Sequence, residues 1–125
     1  MILLAIVRSF VAAAVALVPA TRAVVAEQVQ PPPPVVIVPE TASCGLWWPL
    51  AVEVGWPAEE LPTVDRVMWC ESNCEPSARN RSGASGLMQV MPMWHHGRDP
   101  FDPATNLAMA LEVWHLQGWR AWSCY

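Results

Sequence analysis

The sequence contains no lysine: its seven basic residues are all arginines, and eleven acidic residues give a net charge of −4. A protein that coats the phosphates of a nucleic acid needs a surplus of positive charge. Nucleic acid is therefore excluded as a partner. Charged residues are scarce at 14%, yet eight tryptophans are present, and this combination excludes a long disordered chain.

The sequence also lacks a hydrophobic run long enough to cross a bilayer comfortably. Its N-terminal apolar core, residues 10–18, has nine residues, whereas a membrane-spanning helix needs about 20. Because Arg8 precedes this core and Pro19 ends it, residues 1–26 are predicted to be a signal peptide. The alternative is an uncleaved N-terminal membrane anchor. The rest of the chain is accordingly expected to be secreted, or anchored to the membrane and facing outward.

Proline is concentrated in one segment. Residues 27–43, EQVQPPPPVVIVPETAS, contain five prolines, four of them consecutive. Such a segment forms a semi-rigid extended spacer. The roughly 80 residues that remain, 44–125, are enough for one small domain and too few for two. We therefore divide the chain into a leader (1–26), a proline-rich linker (27–43) and a single domain (44–125).

The residue pattern of the domain predicts mainly α-helices. Pro62 suits the first turn of a helix. The apolar residues that follow it at helical spacing are Val64, Val67 and Met68. A second helix is predicted between the Asp102-Pro103 cap and Gly118. Its predicted core-facing residues are Ala104, Leu107, Ala108, Leu111 and Trp114. The intervening segment predicts loops and a small hairpin, so the expected class is mainly α with a small β element (α+β).

Continuing the apolar spacing of the first helix places Glu71 on the face that should be buried. A buried carboxyl group either finds a partner or keeps its proton through a raised pKa. The negative end of the helix dipole also disfavours the charged carboxylate and therefore raises the pKa of Glu71. Because a neutral carboxylic acid can protonate a leaving oxygen, Glu71 is the candidate general acid. The alternative is a structural residue that turns to solvent or pairs with Arg79 or Arg81.

Three segments of the domain carry a shared pattern. They are Trp69-Cys70-Glu71-Ser72-Asn73, the run from Asn80 to Pro92 with Gly-Leu-Met-Gln at 86–89, and Asp102-Pro103-Ala104-Thr105-Asn106-Leu107-Ala108. They resemble successive motifs of the soluble lytic transglycosylase (SLT) family, relatives of goose-type lysozyme. The family pattern is Glu-Ser, then Gly-Leu-Met-Gln-x-x-Pro, then Asn-[Ile/Leu]-x-x-[Ala/Gly]. Order and spacing match across roughly residues 60–118.

The resemblance implies a lysozyme-like fold, in which a helical core and a small β or loop element flank a saccharide groove. It implies that Glu71 is the single catalytic acid/base. The substrate-binding residues that it implies are Ser72, Met88, Gln89 and Asn106. Each of these four residues also has a structural interpretation. The Ser72 hydroxyl would satisfy the helix end, and Met88 would belong to the core. Gln89 would be a polar residue on a short helix, and Asn106 would make a structural hydrogen bond.

The sequence departs from the family pattern near its end. In place of the family's Ala-Tyr-Asn-Ala-Gly-like segment it has Trp122-Ser123-Cys124-Tyr125. This ending, together with a cysteine directly before the Glu, is similar to the resuscitation-promoting factors. Four cysteines permit three pairings. The similarity implies a Cys70–Cys124 disulfide, which leaves Cys44 for Cys74.

The alternative use of the cysteines is a metal site formed by Cys70, Cys74, His95 and His96. Their spacing fits no standard zinc pattern, and an exported chain favours disulfides over thiolate ligands. We therefore expect no metal and no cofactor.

All eight tryptophans lie between positions 47 and 122. Indole faces pack against the C–H faces of sugars in a carbohydrate groove, but in a small domain they also fill the core. We expect Trp69, Trp114 and Trp119 in the core and Trp94 or Trp122 in a groove.

The resemblance implies an exported peptidoglycan lytic transglycosylase that cleaves the β-1,4 bond between N-acetylmuramic acid and N-acetylglucosamine and forms a 1,6-anhydro product. Its partner is then the glycan strand of the cell wall, bound by a monomer, and the membrane is a partner only through an uncleaved leader. One alternative is a hydrolytic muramidase (lysozyme) in which Glu75, Asp99 or Asp102 positions water. Another is a non-catalytic module that binds the cell wall or signals through it.

Overall fold

The computed structural model of the protein describes residues 13–125, so the first twelve residues of the predicted leader lie outside the described residues. Residues 13–30 contain no helix or strand, and their side chains are exposed. No helix in the described part of the chain is long and apolar enough to cross a membrane. Within residues 13–125, all regular structure lies in the compact unit formed by residues 31–125.

Three α-helices dominate this unit: α1 (Trp48–Glu53), α2 (Leu61–Ser72) and α3 (Pro103–Gln117). Short 3-10 helices cover Gly45–Trp47, Ala58–Glu60, Pro92–Trp94 and Gly118–Ala121. Within residues 13–125 the β-structure is limited to isolated antiparallel bridges, from Arg79 to Ser85 and from Ser85 to Val90. The expected class, mainly α with disulfides, is confirmed.

Helix α2 forms where the proline and the apolar spacing predict it. Pro62 lies in its first turn, and Asn73 ends it by adopting the left-handed conformation at φ 52°. The apolar residues of its buried face are Leu61, Val64, Val67 and Met68. Glu71 continues this face and is half-buried.

A buried carboxylate, Asp65, fixes the start of the domain to α2. It accepts hydrogen bonds from the backbone N–H of Ser43 (2.9 Å) and Cys44 (2.7 Å) and from the indole Nε1 of Trp48 (2.9 Å). Three donors satisfy a carboxylate that would be costly to bury alone. Asp65 is a buried carboxylate that was not predicted; its place beside Val64 on an otherwise apolar helix face was the one clue to its role.

Helix α3 begins and ends where its caps predict. The Asp102 carboxylate accepts from the backbone N–H of Thr105 at 2.9 Å, and Gly118 ends the helix at φ 65°. Its buried residues are Asn106, Leu107, Met109, Ala110 and Val113. Of the predicted core-facing residues, only Leu107 is among them. Leu111 and Trp114 are partly buried and pack against the core, so the prediction is confirmed in part. Apolar residues occupy most sides of this helix, and their period therefore does not define one buried face.

The tryptophan core also differs from the prediction. Trp69 is 51% exposed because it follows Met68 onto the solvent side of α2, whereas Trp48 and Trp56 are buried. Trp56 contacts the two half-buried tryptophans that were expected in the core, with ring centroids 5.4 Å from Trp114 and 5.5 Å from Trp119. This cluster joins the segment before α2 to the end of α3.

Two disulfides close the domain, Cys44–Cys74 and Cys70–Cys124. This is the pairing that the resemblance implies. The alternative metal site is wrong because the sulfur atoms of Cys70 and Cys74 are bonded to other cysteines. Among residues 13–125 no group of three histidine, cysteine or acidic side chains could hold a metal ion.

Candidate active site

Glu71 lies in the last turn of α2 with its carboxyl group partly removed from water. Burial raises the pKa of this carboxyl above its ordinary value, and the backbone amide of Cys124 opposes part of that rise. Desolvation acts in this direction because it disfavours the charged form of an acid. Glu71 therefore retains its proton to a higher pH than an exposed glutamate, which is the property expected of a general acid.

Among residues 13–125, no cation pairs with this carboxyl group. In the part of the chain that the structure describes, the one ion pair joins Arg98 to Glu112. Arg79 and Arg81 make no such contact with Glu71, so the structural alternative of a surface salt bridge is wrong.

A buried loop follows Ser82. Every residue from 83 to 90, including Gly-Leu-Met-Gln, is buried, although none lies in a helix. Buried irregular backbone must find hydrogen-bond partners outside regular secondary structure. Backbone groups supply some of these partners, as in the bond from the Gly86 N–H to the Ala78 carbonyl oxygen (2.8 Å). Side chains of the three sequence motifs supply others, as the contacts of Ser72, Gln89 and Asn106 show.

Ser72 connects the end of α2 to this loop. Its Oγ lies 2.7 Å from the carbonyl oxygen of Leu87 and 3.0 Å from that of Met68. The hydroxyl therefore holds the loop against the helix turn that carries Glu71. Only 7% of Ser72 is exposed, so its main role here is to position the loop.

Asn106 holds the same loop from α3 and is fully buried. Its Oδ1 accepts from the backbone N–H of Met88 at 2.8 Å, while its Nδ2 donates to the carbonyl oxygens of Ser85 (2.8 Å) and Pro100 (2.9 Å). Met88 is also fully buried, and its carbonyl oxygen accepts from the indole Nε1 of Trp122 at 2.8 Å. Burial argues against direct substrate contact by Met88 or Asn106, which instead fix the loop.

Gly86 allows this arrangement because it combines a positive φ of 79° with a very close approach of other atoms. A Cβ atom at this position would overlap the carbonyl oxygen of Pro100 and the side-chain amide of Asn106. Glycine is the residue that tolerates both conditions. The hydrogen bonds of Asn106 therefore depend on the absence of a side chain at position 86.

Gln89 differs from these residues because it reaches a cavity. Its backbone has φ 47°, unusual for a residue other than glycine. Its Nε2 donates to the carbonyl oxygens of Ala78 (3.0 Å) and Gly86 (2.9 Å). The side chain also lines a cavity of about 180 Å³.

The cavity lies beside the candidate acid rather than around it, since Glu71 does not form part of its wall. Trp94 and Trp122, the two tryptophans predicted to line a groove, both line it. Trp122 is two residues from Cys124, whose amide contacts Glu71. Two residues span at most roughly 7 Å, so the cavity and the carboxyl group are close neighbours.

The other acids considered for a hydrolytic reaction are engaged locally. The Glu75 carboxylate accepts from the Ser77 hydroxyl, and the Asp99 carboxylate accepts from the backbone N–H of Phe101. Asp102 caps α3, and hydrogen bonds from the hydroxyl and then the amide of Thr105 lower the pKa of its carboxyl group. Each of these three carboxylates therefore stabilises the turn or helix to which it belongs.

Two participants in this site were not predicted: the Cys124 amide beside Glu71 and the hydrogen bond from the Trp122 indole to the Met88 carbonyl oxygen. Backbone atoms leave no mark in a sequence, and a tryptophan that donates a hydrogen bond cannot be told from one that only packs. The placement of both near the Glu-Ser turn required the folded chain.

Comparison with known proteins agrees with the resemblance. The family model of the transglycosylase SLT domain matches residues 57–117, which include Glu71, Gln89 and Asn106. No curated protein and no solved structure matches the chain. Residues 57–117 are therefore similar to the transglycosylase SLT domain.

Proposed function

We propose that this protein is an exported peptidoglycan lytic transglycosylase in which Glu71 acts alone as acid and base. The observation that carries the proposal is a partly buried carboxyl group with a raised pKa, at the end of α2 and inside the region similar to the SLT domain, with no cation paired to it among residues 13–125. The proposed substrate bond is the β-1,4 linkage from N-acetylmuramic acid to N-acetylglucosamine.

In the first step, protonated Glu71 donates its proton to the glycosidic oxygen. The bond between that oxygen and C1 of the muramic residue breaks, and the N-acetylglucosamine portion leaves with a free 4-hydroxyl. The positive charge that develops at C1 is stabilised by the carbonyl oxygen of the substrate's own 2-acetamido group. This assistance replaces the second carboxylate that most glycosidases use.

In the second step, Glu71 is a carboxylate and accepts the proton of the muramic C6 hydroxyl. The freed oxygen bonds to C1 and closes the 1,6-anhydro ring, which restores protonated Glu71 for the next cycle. Water is neither consumed nor released. The local engagement of Glu75, Asp99 and Asp102 supports a reaction with one carboxylate.

Ser72 and Asn106 support this reaction by fixing the position of the loop beside Glu71. Ser72 and Asn106 hold the buried Gly-Leu-Met-Gln loop beside the Glu71 turn. A fixed loop maintains the geometry that proton transfer requires, since transfer depends on hydrogen-bond reach between the acid and the leaving oxygen.

Export of the protein is part of the proposal. Disulfides form and persist in oxidising compartments outside the cytoplasm, and both pairs are formed here. Residues 1–26 are proposed as a signal peptide, with an uncleaved membrane anchor as the alternative. Residues 27–43 then space the domain from its point of attachment to reach cell-wall strands.

The test is digestion of purified peptidoglycan by the wild-type protein and by Glu71→Gln, with the released muropeptides identified by mass spectrometry. We expect the wild type to release 1,6-anhydro products, and the variant to lose about 10²- to 10⁴-fold in rate, the usual contribution of a general acid and base. Glu59→Gln, an exposed glutamate replaced in the same way, should keep its activity.

Three outcomes would contradict the proposal. Activity retained by Glu71→Gln removes Glu71 from the mechanism. Products one water heavier than the anhydro form identify a hydrolytic muramidase instead. Binding to peptidoglycan with no product released by the wild type identifies a non-catalytic cell-wall module.

A further inference from the structure

The turn that directly follows the end of α2 contains two consecutive residues in the left-handed backbone conformation. Asn73 has φ 52° and Cys74 has φ 61°. Asparagine visits this conformation more readily than most residues, but for cysteine it is costly because the Cβ atom crowds the backbone. Costly conformations persist only where the surrounding structure holds them, and they cluster at functional sites. The contacts that hold Cys74 are therefore relevant to the function of the nearby Glu71.

Cys74 is held from outside α2 by residues 43–48, which we call the 43–48 segment. The sulfur of Cys74 is bonded to that of Cys44. The carbonyl oxygen of Cys74 accepts a hydrogen bond from the indole Nε1 of Trp47 at 3.1 Å. One contact thus acts on the side chain of Cys74 and the other on its backbone. Two contacts on one residue restrict its conformation more closely than either contact alone.

The 43–48 segment is itself fixed to α2 by the buried carboxylate of Asp65. This carboxylate accepts from the backbone N–H of Cys44 (2.7 Å) and from the indole Nε1 of Trp48 (2.9 Å). Cys44 and Trp48 lie on either side of Trp47 in the sequence, so both ends of the segment are fixed. The segment therefore joins the middle of α2 to the turn that follows this helix.

The turn is connected to the Gly-Leu-Met-Gln loop through the carbonyl oxygen of Ala78. The chain between the turn and Ala78 is short, and it contains Pro76, whose ring fixes its own φ. The Ala78 carbonyl oxygen accepts from the backbone N–H of Gly86 (2.8 Å) and from Nε2 of Gln89 (3.0 Å). The direction in which the chain leaves the turn therefore sets the position of an acceptor that the loop uses twice.

The 43–48 segment lies outside residues 57–117, the region similar to the SLT domain. Within that region, Ser72 and Asn106 hold the Gly-Leu-Met-Gln loop from α2 and α3. The contacts of the 43–48 segment add a third restraint, which acts on the loop through the turn and the Ala78 carbonyl oxygen. This restraint comes from a part of the chain that the family match does not include.

We propose that Trp47 and the Cys44–Cys74 disulfide are positioning elements of the site. They hold the turn after Glu71 in its left-handed conformation and thereby keep the Gly-Leu-Met-Gln loop in place beside the acid. The proposal rests on the proposed function in one respect, that Glu71 is the acid whose reaction is measured. It assigns a role in that reaction to residues outside the region similar to the SLT domain.

Loss of either contact releases the turn without removing any contact of the Glu71 carboxyl group. When Cys74 leaves the left-handed conformation, the Ala78 carbonyl oxygen shifts and the loop loses two of its hydrogen bonds. Proton transfer then slows, because it depends on the geometry around the acid. The Cys124 amide stays beside Glu71, so the pH dependence of activity should remain that of the wild type.

The first variant is Trp47→Phe in the full-length protein, which keeps an aromatic ring and removes the indole N–H. Its kcat on purified peptidoglycan should fall about five- to tenfold, less than the roughly 10²-fold that a 1 Å misplacement can cost. The matched control is Trp119→Phe, which removes the indole hydrogen bond to Glu60 just before α2 (2.8 Å) and should keep its kcat. Circular dichroism checks that both variants are folded.

The second comparison uses two double variants that both lack the disulfide: Cys44→Ser with Cys74→Ser, and Cys44→Ser with Cys74→Gly. A serine in the left-handed conformation is as costly as a cysteine, whereas glycine adopts this conformation readily. At a temperature where both are folded, the pair with Cys74→Gly should therefore have a kcat about fivefold higher than the pair with Cys74→Ser. A disulfide that only closes the fold predicts the opposite order, because glycine makes the released chain more flexible.

Hydrogen exchange measured by NMR reports on the loop without requiring catalysis. The backbone N–H of Gly86 donates to the Ala78 carbonyl oxygen at 2.8 Å. As a reference, the backbone N–H of Asn106 donates to the carbonyl oxygen of Asp102, also at 2.8 Å. In Trp47→Phe the Gly86 amide should exchange about fivefold faster, as the loss of one typical hydrogen bond predicts. The Asn106 amide should keep its rate.

The proposal is overturned if Trp47→Phe leaves both kcat and Gly86 exchange unchanged. It is also overturned if the pair with Cys74→Gly is no faster than the pair with Cys74→Ser. Equal acceleration of exchange at Gly86 and Asn106 contradicts it as well, because that result indicates a general loss of stability instead of a released turn.

Failure of the proposed function gives a different pattern of results. If the wild type releases no muropeptides but Trp47→Phe accelerates exchange at Gly86 and not at Asn106, the restraint on the loop stands and the transglycosylase assignment fails. If the wild type cleaves peptidoglycan and Trp47→Phe changes neither kcat nor exchange, the transglycosylase assignment stands and the positioning role fails.

Discussion

The backbone amide of Cys124 contacts the carboxyl group of Glu71, and the disulfide of Cys124 runs to Cys70, the residue directly before Glu71. The end of the chain is therefore fixed to the candidate acid at two adjacent points. Burial raises the pKa of Glu71, and the Cys124 amide keeps that rise smaller than burial alone would make it.

The double variant Cys70→Ser with Cys124→Ser tests this relationship. Without the disulfide, the Cys124 amide is released, so the pKa of Glu71 should rise further. Activity that requires protonated Glu71 should then persist to a higher pH than in the wild type, as a pH–rate profile would show. The variant should also lose about 4 kcal/mol of unfolding free energy, because the disulfide closes a loop with a sequence separation of 54.

The matched control is Cys44→Ser with Cys74→Ser, which removes the other disulfide, with a sequence separation of 30. Its stability should fall by a similar amount, about 4 kcal/mol, but the Cys124 amide stays beside Glu71. Both variants are measured at temperatures where circular dichroism shows them folded. An equal shift of the pH profile in the two variants, or no shift in either, would contradict the role of the Cys124 amide.

The raised pKa of Glu71 also predicts a pH-dependent stability. A glutamate whose pKa is higher in the folded state than the ordinary 4.5 stabilises the fold below that value and loses this contribution as the pH rises through the raised pKa. Glu71→Gln removes the cost of burying the charge. The variant should therefore become progressively more stable than the wild type as the pH rises above 4.5, and the difference should level off above the raised pKa.

Thermal unfolding from about pH 3 to about pH 8 measures this difference. Glu59→Gln accounts for the loss of one negative charge from the surface. A constant difference between Glu71→Gln and the wild type over the whole range would show that the Glu71 carboxyl does not carry a burial cost.

Two glycines with almost the same φ allow the cost of close packing to be separated from the cost of backbone strain. Gly86 has φ 79° and Gly97 has φ 75°, but of these two only Gly86 has neighbouring atoms that a Cβ would meet. Gly97→Ala should cost about 1 kcal/mol for the left-handed conformation alone. Gly86→Ala should cost at least about 2 kcal/mol more, because it also displaces Asn106 or the Pro100 carbonyl.

Urea denaturation of both variants gives the two free energies. The activity of Gly86→Ala should fall even where the variant is folded, since the loop beside Glu71 is displaced. Equal losses of stability for the two substitutions would show that the close contact at Gly86 relaxes without cost.

Local features of the fold were predictable because their causes lie close together in the sequence. Pro62, Asp102 and Gly118 mark helix boundaries through their own backbone chemistry, and the structure places α2 and α3 accordingly. The apolar face of α2 was predictable for the same reason, since each residue interacts with the turns before and after it. Trp69 was predicted to lie in the core because it is hydrophobic, but its position in the helix period places it on the exposed side of α2.

The roles of the motif residues could not be predicted in the same way. Glu71, Gln89 and Asn106 could be identified from spacing and resemblance, but the spacing did not distinguish a side chain that meets a ligand from one that holds a loop. Asn106 uses both polar atoms of its side chain on backbone groups up to 21 residues away, whereas the Gln89 carbonyl oxygen remains accessible. That difference depends on which carbonyls approach each amide.

The sequence by itself determined the helix boundaries and the position of the candidate acid, because caps, prolines and periodicity act over a few residues. Only the tertiary structure decided how far Glu71 is buried, that the Cys124 amide adjoins it, and that Trp94 and Gln89 share a cavity. These properties arise from contacts between segments far apart in the chain. Desolvation and hydrogen-bond geometry at a site depend on every segment that surrounds it, and no single segment encodes them.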